Sequence, residues 1–177
     1  MKKFKKTLVI SAFPGTGKSY FHNSEEYSNY ETLDSDSSLY SWVYTLSGEK
    51  TDKRNPNFPH NYIEHIKENI GKVDIIFVSS HIDVRKALTN EGIQFVSIVP
   101  SPYLRDEYIG RYKSRGSDDK FINMICDKWY DFIEDYLYNK NYPGDLIVFL
   151  KENEYIGSIA RDGLTIVEDA YRVLYNA

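Results

Sequence analysis

The sequence predicts an open α/β fold, with a parallel five-stranded sheet and helices on both of its faces. Short apolar runs alternate with longer segments of helical periodicity along the 177 residues. The runs 74–78 and 146–150 are apolar throughout, which is typical of central strands covered on both sides. Hydrophobic residues make up 41% of the chain, enough for one sizeable core, so we expect a single domain spanning 1–177.

Five segments are predicted to be strands and seven to be helices. The predicted strands are 7–12, 31–33, 73–79, 94–99 and 146–150. The predicted helices are 18–27, 37–45, 60–70, 84–91, 103–114, 119–138 and 164–175. The strand 31–33 has the weakest signal because it is short and mixed in polarity. Apolar residues at helical spacing in 119–138 indicate a core-facing helix.

The amino-acid composition limits which binding partners and which cellular compartment we expect for this chain. The net charge of −4 does not favour sequence-independent nucleic-acid binding over the whole surface, although a local basic site is compatible with it. The single cysteine, Cys126, excludes an internal disulfide framework and a multi-thiolate zinc site. A reducing, cytoplasmic location is therefore expected. No run of about 18 apolar residues occurs, so we expect no transmembrane helix and no membrane partner.

A glycine-rich segment between the first predicted strand and the next helix closely matches the pattern G-x-x-x-x-G-K-[ST]. This glycine loop, residues 12–19, differs only in having Ala12 at the first glycine position. Gly15 and Gly17 allow backbone N–H groups to surround a phosphate, Lys18 would reach the β- and γ-phosphates, and Ser19 would ligate magnesium. The expected nucleotide-binding residues are Pro14, Gly15, Thr16, Gly17, Lys18, Ser19 and Tyr20. The alternative is a glycine-rich turn with a surface lysine.

Two aspartates, Asp34 and Asp36, follow the second predicted strand. The carboxyl ends of strands in such a sheet face the ligand crevice, so both side chains are candidates for binding the acceptor of a phosphoryl group. A carboxylate there can accept the proton of an attacking hydroxyl or help to hold a metal. We favour Asp36 as the catalytic and metal-holding residue. Alternatively, Asp36 caps the following helix.

The third predicted strand ends in the serines and histidine of 79–81, where an acidic residue is common in sites of this kind. Magnesium would then depend on Ser19, Asp36, phosphate oxygens and water. His81 is favoured as a helix-start or loop residue over a catalytic base. Asp83 either contributes through a water molecule or belongs to the first turn of the next helix.

An arginine-rich helix is predicted at 103–114. Arg111 and Arg115 are four residues apart and share a helix face, so together they can clamp transferring phosphates as catalytic residues. Alternatively the helix is solvated and its arginines pair with acids such as Glu107. We take 103–119 as a candidate mobile lid and 52–70, which contains Asn-Pro and Phe-Pro turns, as a candidate acceptor-binding insertion.

With these elements the chain resembles the nucleoside and nucleotide kinase branch of P-loop proteins, which includes adenylate and shikimate kinases. In particular it resembles small phage-encoded deoxynucleotide kinases in the glycine loop, the segment 34–38 and the segment 111–116. The resemblance implies a P-loop fold of strand order 2-3-1-4-5, ATP with Mg²⁺, and a bacterial or phage-infected cytoplasm. It also implies an acceptor site near Asp34, Asp36 and Arg54, and a lid carrying Arg111 and Arg115.

The expected function is therefore an ATP-dependent kinase whose acceptor is a nucleotide or nucleoside, with a deoxynucleoside monophosphate favoured. A second hypothesis is a kinase acting on a hydroxyl of a modified base or a 5′ end of DNA. Local cations support it, although the overall charge does not. A third is a nucleotide-binding switch or assembly ATPase without a small-molecule acceptor. The local cations are Lys53, Arg54, Arg111, Lys113 and Arg115.

Overall fold

The computed structural model describes residues 3–138 and 145–176, with seven strands, seven α-helices and two short 3₁₀ turns in these ranges. The strands are β1 (Leu8–Ala12), β2 (Thr32–Asp34), β3 (Trp42–Tyr44), β4 (Lys50–Arg54), β5 (Ile75–Ser79), β6 (Phe95–Pro100) and β7 (Asp145–Leu150). The helices are α1 (Lys18–Asn23), α2 (Ser38–Ser41), α3 (His60–Asn69), α4 (Ile82–Asn90), α5 (Arg105–Ser114), α6 (Asp119–Tyr138) and α7 (Ile166–Tyr175).

Five of the strands form one parallel sheet in the hydrogen-bonded order β2-β5-β1-β6-β7. The central strand β1 runs in register with β5, from the pair Leu8 and Ile75 to the pair Ala12 and Ser79. The other two strands, β3 and β4, form a separate antiparallel hairpin. The predicted α/β class, with a parallel five-stranded sheet flanked by helices, is confirmed.

Alternate residues of β1 pack on opposite faces of the sheet. Leu8 and Ile10 belong to a core with residues of α1 and α7, whereas Val9 belongs to a core with residues of α3 and α4. All five β1 side chains are buried. Each buried aliphatic side chain contributes about 1.5–3 kcal/mol, so β1 is a rigid base for the glycine loop that follows it.

A third core cluster lies under the glycine loop and joins it to α5 and α6. Phe13, at the start of the loop, makes edge-to-face contacts with Tyr108 of α5 and Trp129 of α6. The indole Nε1 of Trp129 donates a 2.7 Å hydrogen bond to the Pro102 carbonyl. Burial raises the pKa of Tyr108 and of Tyr112, so both phenols remain neutral. The helix carrying the arginines is therefore part of the core.

The last helix, α7, begins with a capping box made by Thr165 and Glu168. Glu168 also forms a 2.7 Å ion pair with Lys3, which ties the helix to the N-terminal segment. Partial burial opposes ionisation of Glu168, but hydrogen bonds from Lys3, the Thr165 amide and Tyr30 outweigh it and lower the pKa to about 2.

Two predicted helices were wrong in extent. The segment 37–45 forms only the single turn α2, after which Trp42–Tyr44 pairs with Lys50–Arg54 as a hairpin. Aromatic and β-branched residues favour a strand once a partner is present, and Gly48, at φ 83°, provides the turn. The segment 18–27 breaks after Asn23 because the Ser24 side chain caps a new 3₁₀ turn.

Smaller differences concern the hairpin and the second strand. Residues 52–54, predicted as the start of the acceptor-binding insertion, belong to β4. The second strand is shifted by one residue and includes Asp34. Within the described ranges, no helix has the length and apolar character that a membrane span requires.

Candidate functional site

A cavity of about 810 Å³ lies at the carboxyl ends of β1 and β5, and we call it the first cavity. Its walls come from five parts of the chain: the glycine loop with Tyr20, the segment 35–37 after β2, the end of β5, the C-terminal end of α5, and Tyr155 after β7. The site residues among them are Pro14, Gly15, Gly17, Lys18, Ser19, Tyr20, Asp36, Arg111 and Arg115. The structure thus brings together most of the side chains that the sequence predicted.

Both glycines of the loop adopt backbone conformations that residues with a side chain disfavour. Gly15 has φ 85° and Gly17 has φ 94°. A Cβ atom on Gly15 would lie 2.9 Å from Cε1 of Tyr112, and one on Gly17 would lie 3.0 Å from Cδ1 of Tyr155. By contrast, Ala12 lies within β1 and is paired with β5 and β6, so an ordinary residue fits at the position where the pattern has glycine.

Three consecutive carbonyl groups of the glycine loop accept hydrogen bonds from α5 and from the segment after β7. The three hydrogen bonds run from the Tyr112 hydroxyl to Pro14 O (2.8 Å), from Arg111 Nη1 to Gly15 O (2.9 Å) and from Ile156 N to Thr16 O (3.0 Å). Within the described residues, the amides of Gly15, Gly17, Lys18 and Ser19 make no hydrogen bond. Free amides in a glycine-rich turn form a nest suited to an anion.

The loop lysine is held by one of the predicted aspartates. Lys18 Nζ lies 3.0 Å from Asp34 Oδ1, with the two side chains 28% and 22% exposed. Asp34 is the last residue of β2 and is not on the wall of the first cavity. It therefore positions Lys18 above the loop, a role that sequence reasoning did not assign to it.

The other aspartate, Asp36, is exposed on the cavity wall and also bonded to the chain that follows it. Its Oδ1 accepts from the Ser38 amide and its Oδ2 from the Ser38 hydroxyl, both at 2.8 Å. The N-cap of α2 is Ser37, without a side-chain cap hydrogen bond, so the predicted alternative of Asp36 as the cap is wrong. Asp36 instead closes a local turn with Ser38, and each of its carboxylate oxygens keeps a further acceptor position for a role in the cavity.

The segment before Asp36 is fixed by a buried tyrosine. The Tyr62 hydroxyl donates to Ser35 O at 2.7 Å and accepts from Ser79 N at 3.3 Å, which joins the ends of β2 and β5. Burial raises the pKa of Tyr62 to about 12, so the hydroxyl keeps its proton and can donate.

Arg111 of α5 and Arg115, the C-cap residue of that helix, have different environments. Arg111 is only 10% exposed; besides Gly15 it contacts Glu107 and the Glu154 carbonyl, and its guanidinium lies 3.9 Å from the Tyr155 ring centre. The predicted alternative of pairing with Glu107 is confirmed for this residue. Arg111 therefore clamps the loop while lying on the wall of the first cavity, and its role as a catalytic cation stays a prediction.

Arg115, in contrast, is exposed at the cavity. Its Nε donates to the Ser117 hydroxyl at 2.7 Å, and its guanidinium lies over the rings of Tyr112 and Phe121. Its two Nη groups make no hydrogen bond within the described part of the chain. They remain available to an anionic ligand in the first cavity.

Of three further residues considered from the sequence, two lie elsewhere than expected and one agrees with its prediction. Thr16 is fully buried and its hydroxyl donates to Phe13 O at 2.8 Å, so it braces the loop from inside. Arg54 lies over the Trp42 ring at 4.3 Å in the hairpin and is not on the cavity wall. His81 caps α4 by accepting from the Asp83 amide, in agreement with the favoured helix-start role.

The donors in the first cavity fit a magnesium ion better than a transition metal. Among the described residues, no group of three or more His, Cys, Asp or Glu side chains forms a metal cluster. Ser19 and Asp36 provide one hydroxyl and one carboxylate on the same wall. Mg²⁺ is commonly bound through one or two protein oxygens together with substrate phosphates and water.

The sequence analysis did not predict that the segment after β7 contributes to the site. Glu154 contacts Arg111, Tyr155 lies against Gly17, and the Ile156 amide donates to Thr16 O. More than 130 residues separate this segment from the glycine loop. No local pattern marks this segment as a binding element. Its place follows only from the position of β7 beside β6 in the sheet.

Comparison with known proteins adds no further support, because no protein-family model matches the chain and no curated protein matches it significantly.

Proposed function

We propose that this protein is an ATP-dependent phosphotransferase that passes the γ-phosphoryl group to a hydroxyl or phosphate of a nucleoside or nucleotide. One observation carries the proposal: Lys18, Ser19, Asp36 and Arg115 share the wall of one cavity with the free amides of the glycine loop. This combination of an amide nest, a lysine, a hydroxyl, a carboxylate and an arginine is what phosphoryl transfer requires. Together with the parallel sheet, this site supports the proposal that the fold is that of a P-loop protein.

In this proposal, different residues bind the phosphates of ATP and assist the transfer of the γ-phosphoryl group. The loop amides bind the phosphates, and Lys18 exchanges its ion pair with Asp34 for one with the β- and γ-oxygens. Mg²⁺, when bound by Ser19 and Asp36, neutralises phosphate charge. Asp36 also receives the proton of the acceptor hydroxyl. Arg115 stabilises the charge that spreads over the transferred group.

The helix α5 acts in this proposal as a fixed wall. Tyr108 and Tyr112 are fully buried, and the Tyr112 hydroxyl is bonded to the loop, so a lid movement of the whole segment 103–119 would break core contacts. Arg115 lies at the exposed end of the helix, where smaller adjustments are sufficient to reach a phosphate.

The direct test is to incubate the purified protein with γ-labelled ATP and separate nucleosides, nucleotides and short oligonucleotides as acceptors. Transfer to a nucleoside or nucleotide supports the proposal. Transfer only to an oligonucleotide supports the DNA-kinase alternative, and ATP binding without any labelled acceptor supports the switch alternative.

Two substitutions test the assigned roles. Lys18→Ala should reduce transfer by at least a hundredfold, whereas Lys72→Ala, an exposed lysine in the turn before β5, should leave it unchanged. Asp36→Asn should lower kcat much more than ATP affinity. Normal turnover combined with reduced stability would leave Asp36 with only the structural role of its bonds to Ser38.

A further inference from the structure

A second cavity, of about 420 Å³, lies between the end of β5, α4 and α6. None of the residues predicted to bind the acceptor, Asp34, Asp36 or Arg54, is on its wall. Its volume is within the range of small-molecule sites, and it is large enough for a nucleoside.

The two cavities adjoin at the ends of β1 and β5. Both are lined by Phe13 and Pro14 of the glycine loop and by Ser79 and Ser80 after β5. Arg115 connects them on the side of α5, because it lines the first cavity and its guanidinium lies 5.6 Å from the ring centre of Phe121, which lines the second. A molecule in the second cavity is thus next to the position where a γ-phosphoryl group would lie.

The wall of the second cavity is rich in aromatic side chains on which a planar ring can stack. Four aromatic side chains contribute to its wall, and aromatic rings stack favourably on one another. They are Phe13, Phe121, Phe132 and Tyr136. The polar groups His81, Asp131 and Asp135 are also on the wall, so hydrogen-bonding partners are present for ring nitrogens or sugar hydroxyls.

The charges in the second cavity disfavour an anionic ligand. Its arginine, Arg85, is 2% exposed, is ion-paired with Asp135, donates to Ser80 O and lies 4.0 Å from the ring centre of Tyr136. Asp131 adds a second carboxylate, and no lysine is on the described wall. A phosphate placed here would face a carboxylate without a matching exposed cation.

We propose that the second cavity binds the acceptor, and that the acceptor is an uncharged, ring-bearing alcohol of nucleoside size. This inference rests on the proposed function of the first cavity. In the reaction, the acceptor oxygen forms a bond to the γ-phosphorus while the bond to the β,γ-bridging oxygen breaks. ADP leaves with that electron pair, and the hydroxyl proton passes to Asp36. A free nucleoside is accordingly preferred over its monophosphate.

The first experiment measures kcat/KM with γ-labelled ATP for thymidine and adenosine, for their 5′-monophosphates, and for a short oligonucleotide. The expected result is a preference of at least tenfold for one nucleoside over its monophosphate. Equal or better use of the monophosphate, or transfer to the oligonucleotide alone, overturns the inference while leaving phosphoryl transfer intact.

Two variants locate the acceptor. Met124→Trp, a partly exposed position on the wall, should fill the cavity and weaken nucleoside binding at least tenfold with unchanged ATP binding. Asp131→Lys should improve monophosphate use relative to nucleoside at least tenfold, whereas Asp127→Lys, one turn away on α6 and outside the cavity, should not. Unchanged nucleoside binding in Met124→Trp, or an unchanged preference in Asp131→Lys, contradicts the proposed site.

Titration of the nucleoside without ATP separates the two proposals. If ATP does not bind, the proposed function fails; nucleoside binding that is lost in Met124→Trp still supports the second cavity as a nucleoside site. If neither ATP nor a nucleoside binds, both proposals are overturned.

Discussion

Replacing Arg111 by lysine tests whether this arginine is a structural clamp on the glycine loop or a catalytic contact. The guanidinium donates to Gly15 O and Glu154 O, pairs with Glu107, and lies over the ring of Tyr155. A lysine keeps the charge but offers a single ammonium in place of a planar fork, so it can retain only part of these contacts.

The expected loss can be worked out contact by contact. Two hydrogen bonds to carbonyl groups contribute about 1 kcal/mol each, and the stacking of the guanidinium on the tyrosine ring contributes about 0.5–1 kcal/mol. Arg111→Lys should therefore lower the free energy of unfolding by about 2–3 kcal/mol. For a chain of this size, that corresponds to a decrease in Tm of roughly 4–12 °C.

The assay combines urea unfolding, ATP titration and steady-state turnover. Because the loop loses a support at Gly15 O, ATP affinity should fall about tenfold, and saturating ATP should restore most of kcat. Arg115→Lys is the matched control and should unfold within about 0.5 kcal/mol of the wild type, since Arg115 is exposed. A variant of Arg111 with wild-type stability and ATP affinity, but with kcat reduced a hundredfold, would refute the clamp.

Three further predictions concern single contacts. Gly17→Ala should weaken ATP binding at least tenfold, because φ 94° is strained for alanine and the new methyl group meets Tyr155. Tyr62→Phe should lower the free energy of unfolding by about 1–2 kcal/mol, because the buried carbonyl of Ser35 loses its donor. Glu168→Gln should cost about 1 kcal/mol at pH 7: the pKa of Glu168 is lowered from 4.5 to about 2, so its contribution is present above pH 4.5 and is lost as the pH falls towards 2.

Each of these has a result that would contradict it. Combining Gly17→Ala with Tyr155→Ala should recover part of the affinity, and no recovery would show that the backbone strain alone acts. For Tyr62→Phe, unfolding in urea with an unchanged midpoint would mean that the hydroxyl does not stabilise the β2 and β5 ends. For Glu168→Gln, a stability difference that persists at pH 2 would exclude ionisation as its cause.

Local patterns in the sequence predicted the parts of the molecule that depend on neighbouring residues. The glycine loop was found because its glycines and lysine lie within eight residues, and the sheet because four of its five strands are largely apolar runs. The hairpin containing Trp42 was missed because a strand of three residues is specified mainly by its partner, here Arg54 and Lys50.

Contacts between distant segments explain the remaining differences. Arg111 was predicted to clamp phosphates because it shares a helix face with Arg115. It does lie on the wall of the first cavity, but it also contacts Glu154 of the loop after β7, 43 residues away. The environment of Arg85, joined to Asp135 across 50 residues, likewise depends on how α4 and α6 pack. Neither of these long-range contacts has a signature in the local sequence.

The position of Ala12 within β1 has a consequence for how such sites are searched for in sequences. Its backbone is extended and paired on both sides, whereas Gly15 and Gly17 have positive φ and lie against aromatic side chains. The requirement for glycine thus falls on the second half of the loop. A search profile that weighted positions by backbone geometry would require glycine at 15 and 17 and accept any small residue at 12. Such a profile would retain sequences that the fixed pattern excludes because they lack glycine at its first position.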